Sequence, residues 1–131
     1  MIRAHKNAVL ARLREDAILA DSTFEGEVTT RPARYCTVYV DSGFRQVERF
    51  TGGSGVADFS FTIHSVGSTQ EQAQLVAERV FAQLLDWTPT IAGRNSRRMR
   101  HVASRPVAYD TDIDPPLYFA VDVFDLTTAP A

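Results

Sequence analysis

The chain has 131 residues, the length of one domain, expected here over 1–131, and long enough to bury roughly two thirds of its unfolded surface without a staple. Hydrophobic residues make up 44% and charged residues 23%, ordinary for a soluble globular chain, and a net charge of −2 argues against a dedicated duplex-binding protein. A single cysteine, Cys36, excludes an internal disulfide and any multi-cysteine metal site.

The N-terminal stretch "IRAHKNAVLARLRED" carries Ile2, Val9, Leu10 and Leu13 on one side, Ala17 and Ala20 extend the line, and Ile18 and Leu19 beside it predict a helix running to about there. Lys6 falls on that apolar stripe. The next stretch, "DSTFEGEVTTRPAR", reads as loop by composition. In "RYCTVYVDSG", Cys36, Val38 and Val40 alternate with Tyr35, Thr37 and Tyr39, the period of a strand. Alternation returns in "SGVADFSFTIHSVG", where Ala57, Phe59, Phe61 and Ile63 point one way. These two strands are joined by "SGFRQVERFTGGSG", too long for a tight turn and carrying Phe44, Val47 and Phe50. It reads as an extension of the hairpin. Its apolar groups either cover this chain's own core or bury against a partner.

A helix follows in "GSTQEQAQLVAERVFAQLLDW". Ser68 and Glu71 fit a capping box, and Ala73, Val76, Ala77, Val80, Phe81, Leu84 and Leu85 form a broad apolar stripe. Two strands are expected after it. One spans about Arg97 to Arg105, and the other is "PLYFAVDVFDL", with the Pro- and Asp-rich "PVAYDTDIDPP" between them. The expected fold is α+β: an antiparallel four-stranded sheet with a long hairpin extension, two main helices on one face, and the order α-β-β-α-β-β.

No catalytic, cofactor or metal site emerges. "GGSG" has Val56 where a nucleophile elbow needs its second glycine. His5, His64 and His101 share no close spacing with each other or with Cys36. Asp110, Asp112 and Asp114 open like a calcium loop, but Pro115 and Val121 occupy its glycine and glutamate positions. No Gly-rich phosphate loop precedes a helix. The chain does not read as an enzyme. No run approaches the ~20 apolar residues of a membrane span. The first residues show no secretory core, so a chain made and kept in a cytoplasm is expected.

The basic residues are thirteen arginines and one lysine. Arg94, Arg97, Arg98, Arg100 and Arg105 fall within "GRNSRRMRHVASRP", and no acidic residue lies between Asp86 and Asp110. In a regular strand Arg97, Met99, His101, Ala103 and Arg105 share one face, and Arg98, Arg100, Val102 and Ser104 the other. The following segment is acidic, with Asp110, Asp112, Asp114, Asp122 and Asp125. Three readings stay open: a solvated edge with local ion pairs, a subunit interface, and contact with a DNA backbone. Single-strand binding would want interleaved aromatics, and this stretch has none.

The N-terminal helix, "YCTVYVDSGF", "FTIHSVGSTQEQAQLVAERVFAQLL" and the closing "DIDPPLYFAVDVFDL" together resemble the tail terminator (tail completion) proteins of long-tailed bacteriophages. The strand, the "HSVGST" junction and the helix after it carry most of the likeness. The resemblance implies a structural protein of the virion neck, assembled in the host cytoplasm. Its copies would form a ring, a hexamer in that family, that caps the tail tube, ends its polymerisation and joins the head-side connector or stopper protein. DNA would pass through the bore without specific binding. Such work asks for unlike faces on one subunit, and head-to-tail packing of unlike faces closes into rings. The candidate contacts with neighbouring copies or with the tube are Phe44, Arg45, Val47, Arg49 and Phe50 of the extension, and Arg97, Arg98, Arg100, Arg105 and Asp122. Another neck ring component, such as a head-closure protein, and a small nucleic-acid-binding module are the alternatives.

Overall fold

The computed structural model describes residues 2–26, 32–40, 44–45, 56–111 and 117–131. Chain order is α1 (Ile2–Arg14), β1 (Thr23–Glu25), β2 (Arg34–Val40), β3 (Phe44–Arg45), β4 (Ala57–Gly67), α2 (Gln70–Leu84), β5 (Arg94–Ser96), β6 (Arg100–Asp110) and β7 (Leu117–Pro130). The strands form one curled, half-barrel sheet in the order β1-β2-β4-β7-β5, with β3 also on β4 and β6 also on β7. The two long strands β4 and β7 pair antiparallel from Ala57↔Thr128 to Gly67↔Tyr118. Each then shares its outer edge between two shorter neighbours. β2 and β3 divide that of β4, and β6 and β5 divide that of β7.

This overturns the four-stranded antiparallel expectation and its α-β-β-α-β-β order. The sheet is mixed, because β1 runs parallel to β2, pairing Thr23 with Cys36 and Glu25 with Val38. The stretch expected to be loop therefore contains a strand. The added strands β1, β3 and β5 are two or three residues long, too short to show a period of their own. Their backbone partners come from distant chain.

Opposed residues in an antiparallel pair share a face. Phe59 lies opposite Leu126, Phe61 opposite Phe124, and Val38 opposite Ile63. This face is the core. It is covered by Val9, Leu10 and Leu13 of α1 and by Val76, Val80 and Leu84 of α2, and Phe61 and Phe124 are fully buried. Each such side chain contributes about 1.5–3 kcal/mol over leaving it in water. The helices also hold each other directly: Arg12 Nε donates to the Gln83 carbonyl at 2.9 Å and Gln83 Nε2 donates to the Arg12 carbonyl at 2.8 Å.

α1 ends at Arg14, short of the reach expected for it. Asp16 stops it: its Oδ1 accepts the backbone N–H groups of Ile18 and Leu19, and its Oδ2 takes Arg79 of α2. Leu19 is then buried while Ala17 and Ala20 are exposed. α2 is capped one residue later than expected, by Thr69, whose Oγ1 accepts the N–H of Gln72 at 3.2 Å. Gly67 sets how closely α2 docks, since a Cβ there would lie 2.5 Å from the backbone nitrogen of Ala73.

Candidate assembly surface

The basic segment is not one strand. β5 ends at Ser96, the chain detours through residues 97–99, and β6 begins at Arg100. Met99 is fully buried in the detour, and its N–H donates to the Trp87 carbonyl at 2.8 Å. β6 also carries two register shifts. His101 opposes Phe124 but Ala103 opposes Val123, and Arg105 opposes Val121 but Ala108 opposes Phe119. Each adds a residue to β6, and such a bulge reverses the parity of everything beyond it. The face assignment made for a regular strand is thereby corrected. Arg100 and Arg105, placed on opposite faces by simple alternation, stand across from Asp125 and Val121 on one side of the β7 alternation, and Arg105, beside the second bulge, also borders α2.

The candidate residues separate into three places. Arg97, Arg98 and Arg100 are exposed and line a cleft of about 140 Å³ with Asp125 and Thr127. Arg97 is fixed through its backbone N–H, which donates to the Thr127 carbonyl at 2.9 Å. Arg94 does structural work instead, donating through Nε to Thr128 Oγ1 and through Nη2 to the Thr128 carbonyl. Asp125 is already held by Ser60 Oγ at 2.7 Å.

Arg105 and Asp122 belong to a second place, an open groove of about 670 Å³ between α2 and β6. Gln74, Ala77, Glu78, Phe81 and Ala82 form its helix wall, Arg105, Pro106 and Val107 its strand wall, and Ala120 and Asp122 lie beneath. Asp122 is buried, with its Oδ1 3.0 Å from His101 Nε2. The His101 ring packs edge-on against Phe81 at 4.6 Å. Asp122 therefore serves as a satisfied floor rather than a free contact.

Phe44 and Arg45 form β3, opposite Asp58 and Ala57, so the β2–β4 hairpin is paired beyond β2. They sit on the β2 side of the sheet, away from the arginines. Val47, Arg49 and Phe50 lie outside the described residues.

The helix wall of the groove, above all Glu78 and Phe81, was not singled out from the sequence. A signal existed. The apolar stripe of α2 is wider than its buried line of Ala73, Val76, Val80 and Leu84, and the surplus Ala77 and Phe81 reach the groove.

Outside these places, burial shifts the Cys36 thiol and the His64 imidazole. Burial pushes the Cys36 thiol up to about 11, against a small opposing effect of its bond to the Thr23 hydroxyl. A thiol so shifted is inert at neutral pH. Burial between Tyr39 and Phe119 pushes the His64 imidazole down, so it is neutral at pH 7. Among the described residues, no group of three or more His, Cys, Asp or Glu could hold a metal, and no helix is long and apolar enough to cross a membrane.

No protein-family profile and no curated protein matches the chain. Solved structures do. A chain of the virion of a native gene transfer agent (GTA) particle superposes with a TM-score of 0.75 over 98% of this chain and 96% of its own, at 17% identity. A second solved chain, whose name states no function, superposes with a TM-score of 0.60 over 96% of this chain and 91% of its own, at 14% identity. At such identities the likeness is one of fold.

Proposed function

We propose that this chain is a structural protein of a phage-like virion, and within the virion a tail terminator. Its copies close into a ring that caps the tail tube, ends tube growth and offers a joining surface to the head connector. The observation that carries the virion role is the near full-length fold likeness to a chain of the gene transfer agent virion. The finer role rests on the resemblance of the hairpin, the "HSVGST" junction and α2 to tail terminators. Unlike surfaces on one subunit support it: a paired hairpin extension on the β2 side, and an arginine cleft and a groove on the β6 side. Such a pair of unlike surfaces favours head-to-tail contacts over two-fold ones. The work is assembly, with no bond made or broken. A mildly acidic chain with a local arginine cleft also suits a bore that passes DNA without holding it, since each phosphate contact would add salt-sensitive affinity.

Electron microscopy and light scattering of the purified protein test this. Closed rings of several copies are expected, alone or on added tail tubes. A single-chain mass at high concentration, with no assembly on tubes, would overturn it. Loss of the gene is expected to give overlong or unfinished tails; filled heads that leak DNA would instead indicate a head-closure role. Reversing Arg98 and Arg100 to Glu is expected to impair ring or tube joining, and unchanged tails would remove the cleft from the account.

A further inference from the structure

We infer that the α2–β6 groove receives the hairpin extension, residues 44–50, of a second copy of this chain. The inference rests on the ring reading above and names its contact. Edge-to-edge sheet pairing is the obvious alternative on this side, because among the described residues β6 pairs with β7 alone. The strand is built against that use. Its two bulges break the row of backbone donors and acceptors, and Pro106 lacks a donor altogether. Contact here must therefore run through side chains, and the groove is where they gather.

The groove walls carry opposite charges. Glu78 stands on the helix wall and Arg105 on the strand wall, and neither has an ion-pair partner among the described residues. Apolar surface from Ala77, Phe81 and Val107 lies between them. The extension reads Phe44-Arg45-Gln46-Val47-Glu48-Arg49-Phe50. It offers adjacent charges of opposite sign, Glu48 and Arg49, flanked by apolar Val47 and Phe50. Glu48 then meets Arg105, Arg49 meets Glu78, and the apolar groups cover Phe81 and Val107. The extension leaves from β3 on the β2 side of the sheet, while the groove opens beyond β7 on the other side. Segment and receptor are thus different surfaces of one subunit, as a closing ring requires.

Charge reversal in the full chain tests this. Glu78→Arg and Arg49→Glu are each expected to weaken self-association about tenfold or more, read as the concentration at which rings form by light scattering and microscopy. The double variant Glu78→Arg/Arg49→Glu is expected to recover most of the loss. Far-UV circular dichroism checks that each variant is folded. As a second measurement, a Val47→Cys variant is mixed with an Ala82→Cys variant and oxidised, and a disulfide-linked dimer is expected. Rings that form normally in the single variants, or a double variant that recovers nothing and a mixture that gives no link, overturn the inference and leave the ring reading standing. A wild-type chain that never assembles, even with tail tubes, brings down both. A doubly substituted Val47→Cys/Ala82→Cys chain that links only within itself overturns the inference by assigning the groove to the chain's own extension.

Discussion

The centre and the flank of the sheet are built by opposite rules. Between β4 and β7 the ladder runs from Ala57↔Thr128 to Gly67↔Tyr118 without a register shift, and its helix-facing residues form the buried core. On the far edge of β7 the chain breaks three times: between β5 and β6, and at each of the two bulges within β6. The centre fixes every side chain by alternation. The flank uses extra residues to turn side chains outward, and eight of the eleven residues of β6 are exposed, Val102 and Tyr109 among them. The one carries stability and the other has surface to spare for contacts. Substitutions of similar size should therefore cost much at the centre and little at the flank.

The largest effect is expected from Phe61→Ala. Phe61 is fully buried and faces Phe124 across the ladder, so truncation opens a cavity that two helices and two strands cannot all collapse to fill. The loss should be about 3–5 kcal/mol, read from urea unfolding. A loss below about 1 kcal/mol would mean that the centre is loosely packed and the comparison fails. Gly67→Ala comes next. Its Cβ would meet the backbone at Ala73 and Gln72, which cannot rotate away, so α2 must shift, at about 1–3 kcal/mol.

Asp16→Ala sits at the border between helices and is expected to cost about 1–2 kcal/mol. Most of that is the loss of an acceptor for the Ile18 and Leu19 N–H groups. The Arg79 pair adds little, because the Arg79 side chain is 42% exposed. Burial on its own would raise the Asp16 carboxyl, but the Arg79 bond and the two backbone N–H bonds outweigh it and hold it below its ordinary value of 3.8. A depressed carboxyl stabilises the fold above its unfolded value, and the contribution is lost as pH falls through the folded one. Unfolding midpoints should thus fall below about pH 4 in the wild type, and less steeply in Asp16→Asn.

The same contrast explains what could be read in advance. The strand around Ala57–Ile63 was legible because buried and half-buried residues alternate along an unbroken ladder, and that around Cys36–Val40 because β-branched and aromatic residues follow one another there, although Thr37 is buried along with Cys36 and Val38. α2 was legible from its stripe, and only its cap was misplaced, since Ser68 and Thr69 are both cap formers and the choice depends on where β4 ends. β1, β3 and β5 were not legible, because two or three residues carry no period and their partners are fixed by tertiary contact. The arginine cleft was visible as composition, but its faces were not. The phase of β6 depends on bulges at Val102 and near Pro106, and a bulge has no reliable sign in sequence beyond the proline itself. The groove was hidden because its walls come from residues 70–82 and 104–107, and only packing brings them together.

Arg100→Ala is expected to have the smallest effect and sharpens the comparison most. Arg100 opens β6, is exposed, and faces Asp125 across the pair. In a dry site, removing it would strand a carboxylate. Here Asp125 is only half-buried and keeps the Ser60 hydroxyl bond at 2.7 Å, with Arg97 and Arg98 lining the same cleft. The stability change should stay within about 0.5 kcal/mol. Assembly, however, should weaken, since the cleft loses one of its three cations. A variant that unfolds more easily but assembles as before would place Arg100 with the core instead, and the division between a rigid centre and a contact-bearing flank would have to be redrawn through β6.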